Sequence, residues 1–211
     1  MPSNQPIGIF DSGFGGLTVA RAIIDLLPSE DIIYFGDTSR YPYGPQPLEE
    51  INSYSQQISD CLIAEHDVKM IVIACNTASA AAEDDLRNST EIPIVGVITP
   101  GAQAVAEVSS TKKIGVIGTV GTINSQAYDN AIKGISPENI ELVSVACPGF
   151  VEFVERGEFE GEQVRILADR LLAPVIQADV DALLLGCTHY PYLARAIGES
   201  VGEGVVLVSS A

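Results

Sequence analysis

Ile71-Val-Ile-Ala-Cys-Asn-Thr77 is a short apolar run that ends on a thiol and two polar side chains, and Leu183-Leu-Leu-Gly-Cys-Thr188 repeats it. Continuous β-branched and aliphatic runs of this length suit parallel strands buried on both faces. Eight such runs occur in all: Ile7 to Phe10, Ile32 to Phe35, Met70 to Ala74, Ile94 to Ile98, Ile114 to Ile117, Leu142 to Ala146, Ala182 to Leu185 and Val205 to Val208. Between them lie segments of helical period. Leu48 to Ala64 carries Ile51, Tyr54, Ile58, Cys61 and Leu62 at three- and four-residue steps, and Gln163 to Ile176 carries Val164, Leu167, Leu171 and Val175. Strands alternating with helices predict right-handed βαβ units and an α/β fold.

The repetition extends further. Ile7-Gly-Ile-Phe-Asp-Ser-Gly-Phe-Gly-Gly16 is similar to Ile114-Gly-Val-Ile-Gly-Thr-Val-Gly-Thr-Ile123. Two flavodoxin-like halves, each with a four-stranded parallel sheet, fit this better than one eight-stranded sheet. The expected domains are residues 1–98 and 99–211, joined near Thr99-Pro100 and facing each other in pseudo-two-fold symmetry.

Composition narrows the function. The 211 residues are 46% hydrophobic and 18% charged, enough apolar surface for a core and unlike a disordered or collagen-like chain. No apolar run reaches the roughly 18 residues of a membrane-spanning helix. The start, Met1 to Pro6, shows neither a basic region nor an apolar stretch of a signal peptide, so a cytoplasmic location is expected. Eleven basic against 28 acidic residues give a net charge of -17, and Lys112-Lys113 is the one basic cluster. Neither a nucleic-acid partner nor a membrane partner is expected.

Ligands of open α/β sheets sit beyond the carboxyl ends of the strands. The groups following the runs are Asp11-Ser12-Gly13, Cys75-Asn76-Thr77, Thr119 with Thr122, and Cys187-Thr188-His189. Two cysteines in matched positions suit a proton relay. One thiolate takes a proton from a carbon and the opposite thiol returns one to its other face, which inverts the centre. A free thiol titrates near 8.5, so a helix N-terminus or a nearby donor must lower that value for a thiolate base. Asp11 and His189 are placed to assist. Cys61 reads as core and Cys147 as structural, and no CxxC pair suggests a disulfide or zinc site. A Cys187–His189 hydrolase pair is disfavoured, because residues two apart on an extended segment point to opposite faces. A zinc site from Cys75, Cys187 and His189 matches no standard spacing. Gly13, Gly15 and Gly16 do not form a nucleotide-binding G-x-G-x-x-G pattern. A small-anion sensor without catalysis is a further alternative.

The segments Gly8-Ile-Phe-Asp-Ser-Gly-Phe-Gly-Gly-Leu-Thr18, Tyr34-Phe-Gly-Asp-Thr38, Tyr41-Pro-Tyr-Gly44, Ala74-Cys-Asn-Thr-Ala78 and Leu185-Gly-Cys-Thr-His-Tyr-Pro191 resemble signature segments of the bacterial glutamate racemases, within the aspartate/glutamate racemase superfamily. The resemblance implies interconversion of L- and D-glutamate without a cofactor or metal, in supply of peptidoglycan precursors. It assigns Cys75 to the D-glutamate proton and Cys187 to the L-glutamate proton. It makes Asp11, His189 and Glu155 their assistants. Ser12, Tyr43, Gly44, Asn76, Thr77, Thr122, Thr188 and His189 become substrate-binding positions. A homodimer is expected. The chain departs from the family pattern at Cys147-Pro-Gly-Phe-Val-Glu152 and at Gln46-Pro47. Family members also continue past the position of Ala211 into C-terminal helices that return to the first half, and the second domain here would hold the start of that return.

No Arg or Lys lies in these segments, so binding of two carboxylates is expected to fall to backbone N–H groups and to Ser, Thr and Asn side chains. The same donors would stabilise charge developing toward a carbanion. Without an electron sink, desolvation in a closed crevice carries more of the task.

Overall fold

The computed structural model describes residues 4–135 and 140–211. The chain divides after Val97 into two compact units. The first runs β1 (Ile7–Asp11), α1 (Leu17–Leu26), β2 (Ile32–Gly36), α2 (Leu48–His66), β3 (Met70–Ile73), α3 (Asn76–Ser89) and β4 (Ile94–Gly96). The second runs α4 (Ile98–Val108), β5 (Lys113–Gly118), α5 (Val120–Asn124), α6 (Ala127–Ile135), β6 (Glu141–Ala146), α7 (Phe150–Glu155), α8 (Glu162–Gln177), β7 (Ala182–Gly186), a 3-10 turn (Tyr190–Leu193), α9 (Ala194–Val201) and β8 (Val206–Ser209). Among the described residues no helix is long and apolar enough to cross a membrane.

Each unit holds one four-stranded sheet, ordered β2-β1-β3-β4 in the first and β6-β5-β7-β8 in the second, and every pairing is parallel. The expected flavodoxin-like order is present in both. Central strands explain the unbroken apolar runs: β1 and β7 are buried along their whole length, whereas edge strand β2 is half-buried throughout. In the first unit, Ile58, Leu62, Ala78, Ala82 and Leu86 of α2 and α3 pack on one sheet face with Phe10, Ile71 and Ile73. Val19 and Ala20 of α1 pack with Ile7, Ile9 and Val72 on the other. In the second unit, Val164, Ala168, Leu172 and Val175 of α8 meet Ile117, Leu183 and Leu185. Sheet order places the ends of β1 and β3, and of β5 and β7, side by side within their own units.

Two local expectations are corrected. The fourth apolar run does not continue as strand to Ile98. Pairing stops at Gly96, and Ile98 opens α4. Pro100 sits in the first turn of that helix, where its missing N–H has no intrahelical acceptor to lose. Cys61 is only partly buried rather than core.

The connection from α4 to β5 is tied by Asp181, just before β7. Its Oδ1 accepts Ser109 Oγ–H at 2.6 Å, and its Oδ2 accepts the N–H of Ser110 and of Thr111 at 2.7 and 2.6 Å. Burial opposes ionisation, but these donors win and hold the carboxyl well below the usual carboxylate range. A depressed native value stabilises the fold above the unfolded value of about 3.9 and loses that contribution as pH falls through the native one. Asp181→Asn should therefore lower the unfolding temperature at pH 7, and its gap from the parent should narrow as pH falls below about 4. Thermal unfolding followed by circular dichroism across that range checks it.

Candidate active site

Asp11 ends β1 fully buried, and its Oδ2 accepts the N–H of Gly13 at 2.9 Å. This fixes a tight turn that carries Ser12 beside β3. Cys75 follows β3 and caps α3: its Sγ accepts the Ala78 N–H at 3.4 Å. Cys75 Sγ lies 3.9 Å from Ser12 Oγ. Asn76 and Thr77 form the first turn of α3 and are buried. The strand-end thiol, the helix N-terminus and the Asp11 turn thus come together in the first unit, as neighbouring β1 and β3 require.

The thiol does not carry the lowered titration point expected of a base. Burial pushes Cys75 up to about 12, and the Asp11 carboxylate adds to the rise. The Ala78 N–H and Ser12 pull in the opposite direction but do not outweigh burial. A thiol raised this far by burial holds its proton at neutral pH. Its alkylation by iodoacetamide should accelerate about tenfold per pH unit to pH 10 and beyond, with no plateau near the ordinary thiol value of about 8.5. Mass spectrometry of the Cys75 peptide gives that profile.

Tyr43 is buried, and its hydroxyl donates to Asp37 Oδ2 at 2.5 Å. Burial and this bond raise the phenol well above its ordinary value. Arg40 Nε donates to the same Asp37 oxygen at 2.6 Å, and its guanidinium stacks 4.3 Å over the Tyr54 ring. The Asp37 N–H donates to the Asp11 carbonyl at 2.9 Å. Gln46 Nε2 donates to the carbonyls of Arg40 and Pro42 at 2.5 and 2.8 Å. The Tyr41–Pro45 loop is therefore a braced element next to the Asp11 turn. Its Tyr43 side chain is committed to Asp37, and Gly44 beside it is half-buried.

In the second unit, Thr119 caps the short helix α5. Its Oγ1 accepts the Thr122 N–H at 3.2 Å and lies 2.9 Å from Thr122 Oγ1. Beyond β7 the chain is not extended. The Tyr190 N–H donates to the Cys187 carbonyl at 3.1 Å, and His189 adopts helical angles. This turn brings Cys187 Sγ to 3.9 Å from His189 Nδ1, which corrects the expectation that the two side chains point apart. Thr188 Oγ1 lies 3.4 Å from the same nitrogen. On the far side of the ring, His189 Nε2 lies 2.9 Å from Glu155 Oε1 at the end of α7. Cys187, His189 and Glu155 form a line of three groups, the imidazole buried and the carboxylate partly exposed. Cys147 is buried, its thiol pushed up to about 12 by burial, and its carbonyl accepts the Tyr190 hydroxyl at 3.1 Å.

Sequence reasoning missed Asp37 and Arg40 as parts of this region. Asp37 stands in the quoted Tyr34–Thr38 segment, but nothing in the spacing reveals that Tyr43 and Arg40 converge on one of its oxygens.

Each unit thus ends a central strand on a buried thiol with an ionisable neighbour. Residues 8–211 match the family model described as Asp/Glu/Hydantoin racemase, and the chain belongs to that family. Its likeness within the family is to the glutamate racemases. It is 52% identical over 209 residues to the glutamate racemase of Parafrankia sp. (strain EAN1pec), covering 99% of this chain and 75% of that protein. The crystal structure of a glutamate racemase isoform from Bacillus anthracis superposes with a TM-score of 0.93 at 43% identity, covering 98% of this chain and 77% of that one. The glutamate racemase of Francisella tularensis in complex with D-glutamate superposes with a TM-score of 0.90 at 42% identity, covering 97% and 76%.

Proposed function

We propose that this glutamate racemase interconverts L- and D-glutamate by a two-base mechanism, with Cys75 and Cys187 as the proton-transfer groups. The observation that carries the reading is the matched pair of buried thiols, one beside Asp11 and one beside His189. The reading requires that the substrate Cα meets both thiols from opposite faces. In the L-to-D direction Cys187 takes the Cα proton and Cys75 delivers its own to the other face. The high titration point of Cys75 suits that starting state, since the resting thiol already holds the proton to be delivered. In the reverse direction Cys75 must first yield its proton, and Asp11 is the neighbouring carboxylate through which it does so. With Glu155 accepting from His189 Nε2–H, Nδ1 is left as an acceptor for the Cys187 proton.

Ser12, Asn76, Thr77, Thr122, Thr188 and the main chain of Tyr43 and Gly44 bind the amino acid. Hydroxyls, amides and helix N-termini there recognise its carboxylates. The reading includes no cofactor. It also includes a cytoplasmic homodimer that supplies D-glutamate for peptidoglycan precursors.

The test is the decay of circular dichroism with L-glutamate or D-glutamate and nothing else added. The expected result is decay to zero from either enantiomer, with no loss of signal from L-aspartate. Turnover of aspartate in preference to glutamate overturns the substrate assignment.

A further inference from the structure

The geometry points to Tyr34 as a positioning residue for the Cys75 half of the reaction, an inference that rests on the two-base reading above. Asp11 and Ser12, two of the groups acting on Cys75, share one turn, and neighbouring strand β2 shapes that turn. The main chain of Gly13 is held on both sides of its Cα. Its N–H donates to Asp11 Oδ2 at 2.9 Å, and its carbonyl accepts the Tyr34 hydroxyl at 2.9 Å. Two glycines make room for this arrangement. A Cβ on Gly36 would stand 2.6 Å from the Gly13 carbonyl oxygen, and a Cβ on Gly16 would stand 2.5 Å from Asp11 Cβ and 2.9 Å from the Tyr34 hydroxyl. Tyr34 pairs in register with Ile9, two residues before Asp11, so its hydroxyl reaches forward along β1 to the turn.

Tyr34 acts through the Gly13 main chain, which in turn orients the Asp11 carboxylate and sets Ser12 Oγ at 3.9 Å from Cys75 Sγ. Loss of the hydroxyl releases the Gly13 carbonyl. The misplacement falls on proton transfer at Cys75 and leaves Cys187 in the other unit untouched.

The test compares Tyr34→Phe with the parent using glutamate deuterated at Cα, read as kcat/KM isotope effects from each enantiomer. Enantiomers are equally stable, so kcat/KM must fall equally in both directions, here by about ten- to a hundredfold. The isotope effects need not move together. Slower transfer at Cys75 makes that step limit the rate more, so the effect should rise with deuterated D-glutamate and fall with deuterated L-glutamate. Gly36→Ala, which crowds the same carbonyl from beneath, should shift both effects the same way. A variant that lowers turnover with both isotope effects unchanged shows a merely structural role and overturns the inference. A rise on the L-glutamate side instead overturns it as well, because Tyr34 would then serve the other thiol. Failure of the underlying reading is seen separately, as no Cα deuterium isotope effect with either enantiomer in the parent protein.

Discussion

Replacing either Cys75 or Cys187 with serine is expected to lower racemisation by about a thousandfold or more, within the range that one acid–base group contributes. A hydroxyl is a far weaker acid than a thiol, and in a buried position it has no means of reaching the ionised state. The two variants should differ in what survives. Cys187→Ser leaves the Asp11–Ser12–Cys75 cluster intact, so exchange of the Cα proton should persist from D-glutamate. Cys75→Ser leaves the Cys187–His189–Glu155 line intact, so exchange should persist from L-glutamate. Proton NMR of each enantiomer in heavy water separates these outcomes. Parental racemisation rates in both single variants would remove the two-base assignment altogether.

Phe150→Ala is expected to cost about 3–5 kcal/mol of stability, the usual range for truncating a buried aromatic ring. Phe150 is fully buried, and its ring meets that of Tyr190 edge-on at 5.3 Å between centroids. Tyr190 directly follows His189 and closes the turn back to Cys187, so the cavity opens beneath the segment that aims the imidazole. Tyr190→Phe is the milder companion. It keeps the aromatic contact, removes the hydroxyl that donates to the Cys147 carbonyl, and should cost only about 1 kcal/mol. Urea unfolding midpoints of the two variants give the comparison. A cost for Phe150→Ala no larger than that of Tyr190→Phe would mean that the ring does not support this part of the core.

The strands were legible in the sequence because β1, β3, β5 and β7 are central and covered on both faces, which demands unbroken apolar runs. The end of β4 was not legible. Val97 and Ile98 are equally apolar, and an apolar run does not reveal where pairing stops and a helix begins. The matched cysteines were legible from their repeat positions. The relation of Cys187 to His189 was not, because it depends on a turn rather than on alternation along a strand. Glu155 was reached only through a family resemblance. It lies 34 positions from His189 in the chain, and only the packing of α7 against the turn after β7 brings the two together. The titration of Cys75 was also out of reach, since a helix N-terminus in the sequence argues for a lowered value and says nothing of the burial that reverses it.

The central claim is that two different thiols serve the two faces of one carbon. A thiol that has taken the Cα proton holds no other, so return to the same face restores that proton unless the thiol first exchanges with solvent, a process slow against delivery by the opposite thiol and visible only on long incubation when that thiol is removed. The most direct measurement is early-time deuterium content of substrate and product, taken separately from L-glutamate and from D-glutamate in heavy water. The account predicts deuterium at Cα of the product enantiomer and almost none in the recovered substrate, in both directions. Equal deuterium in recovered substrate and product would show one base serving both faces and would contradict it.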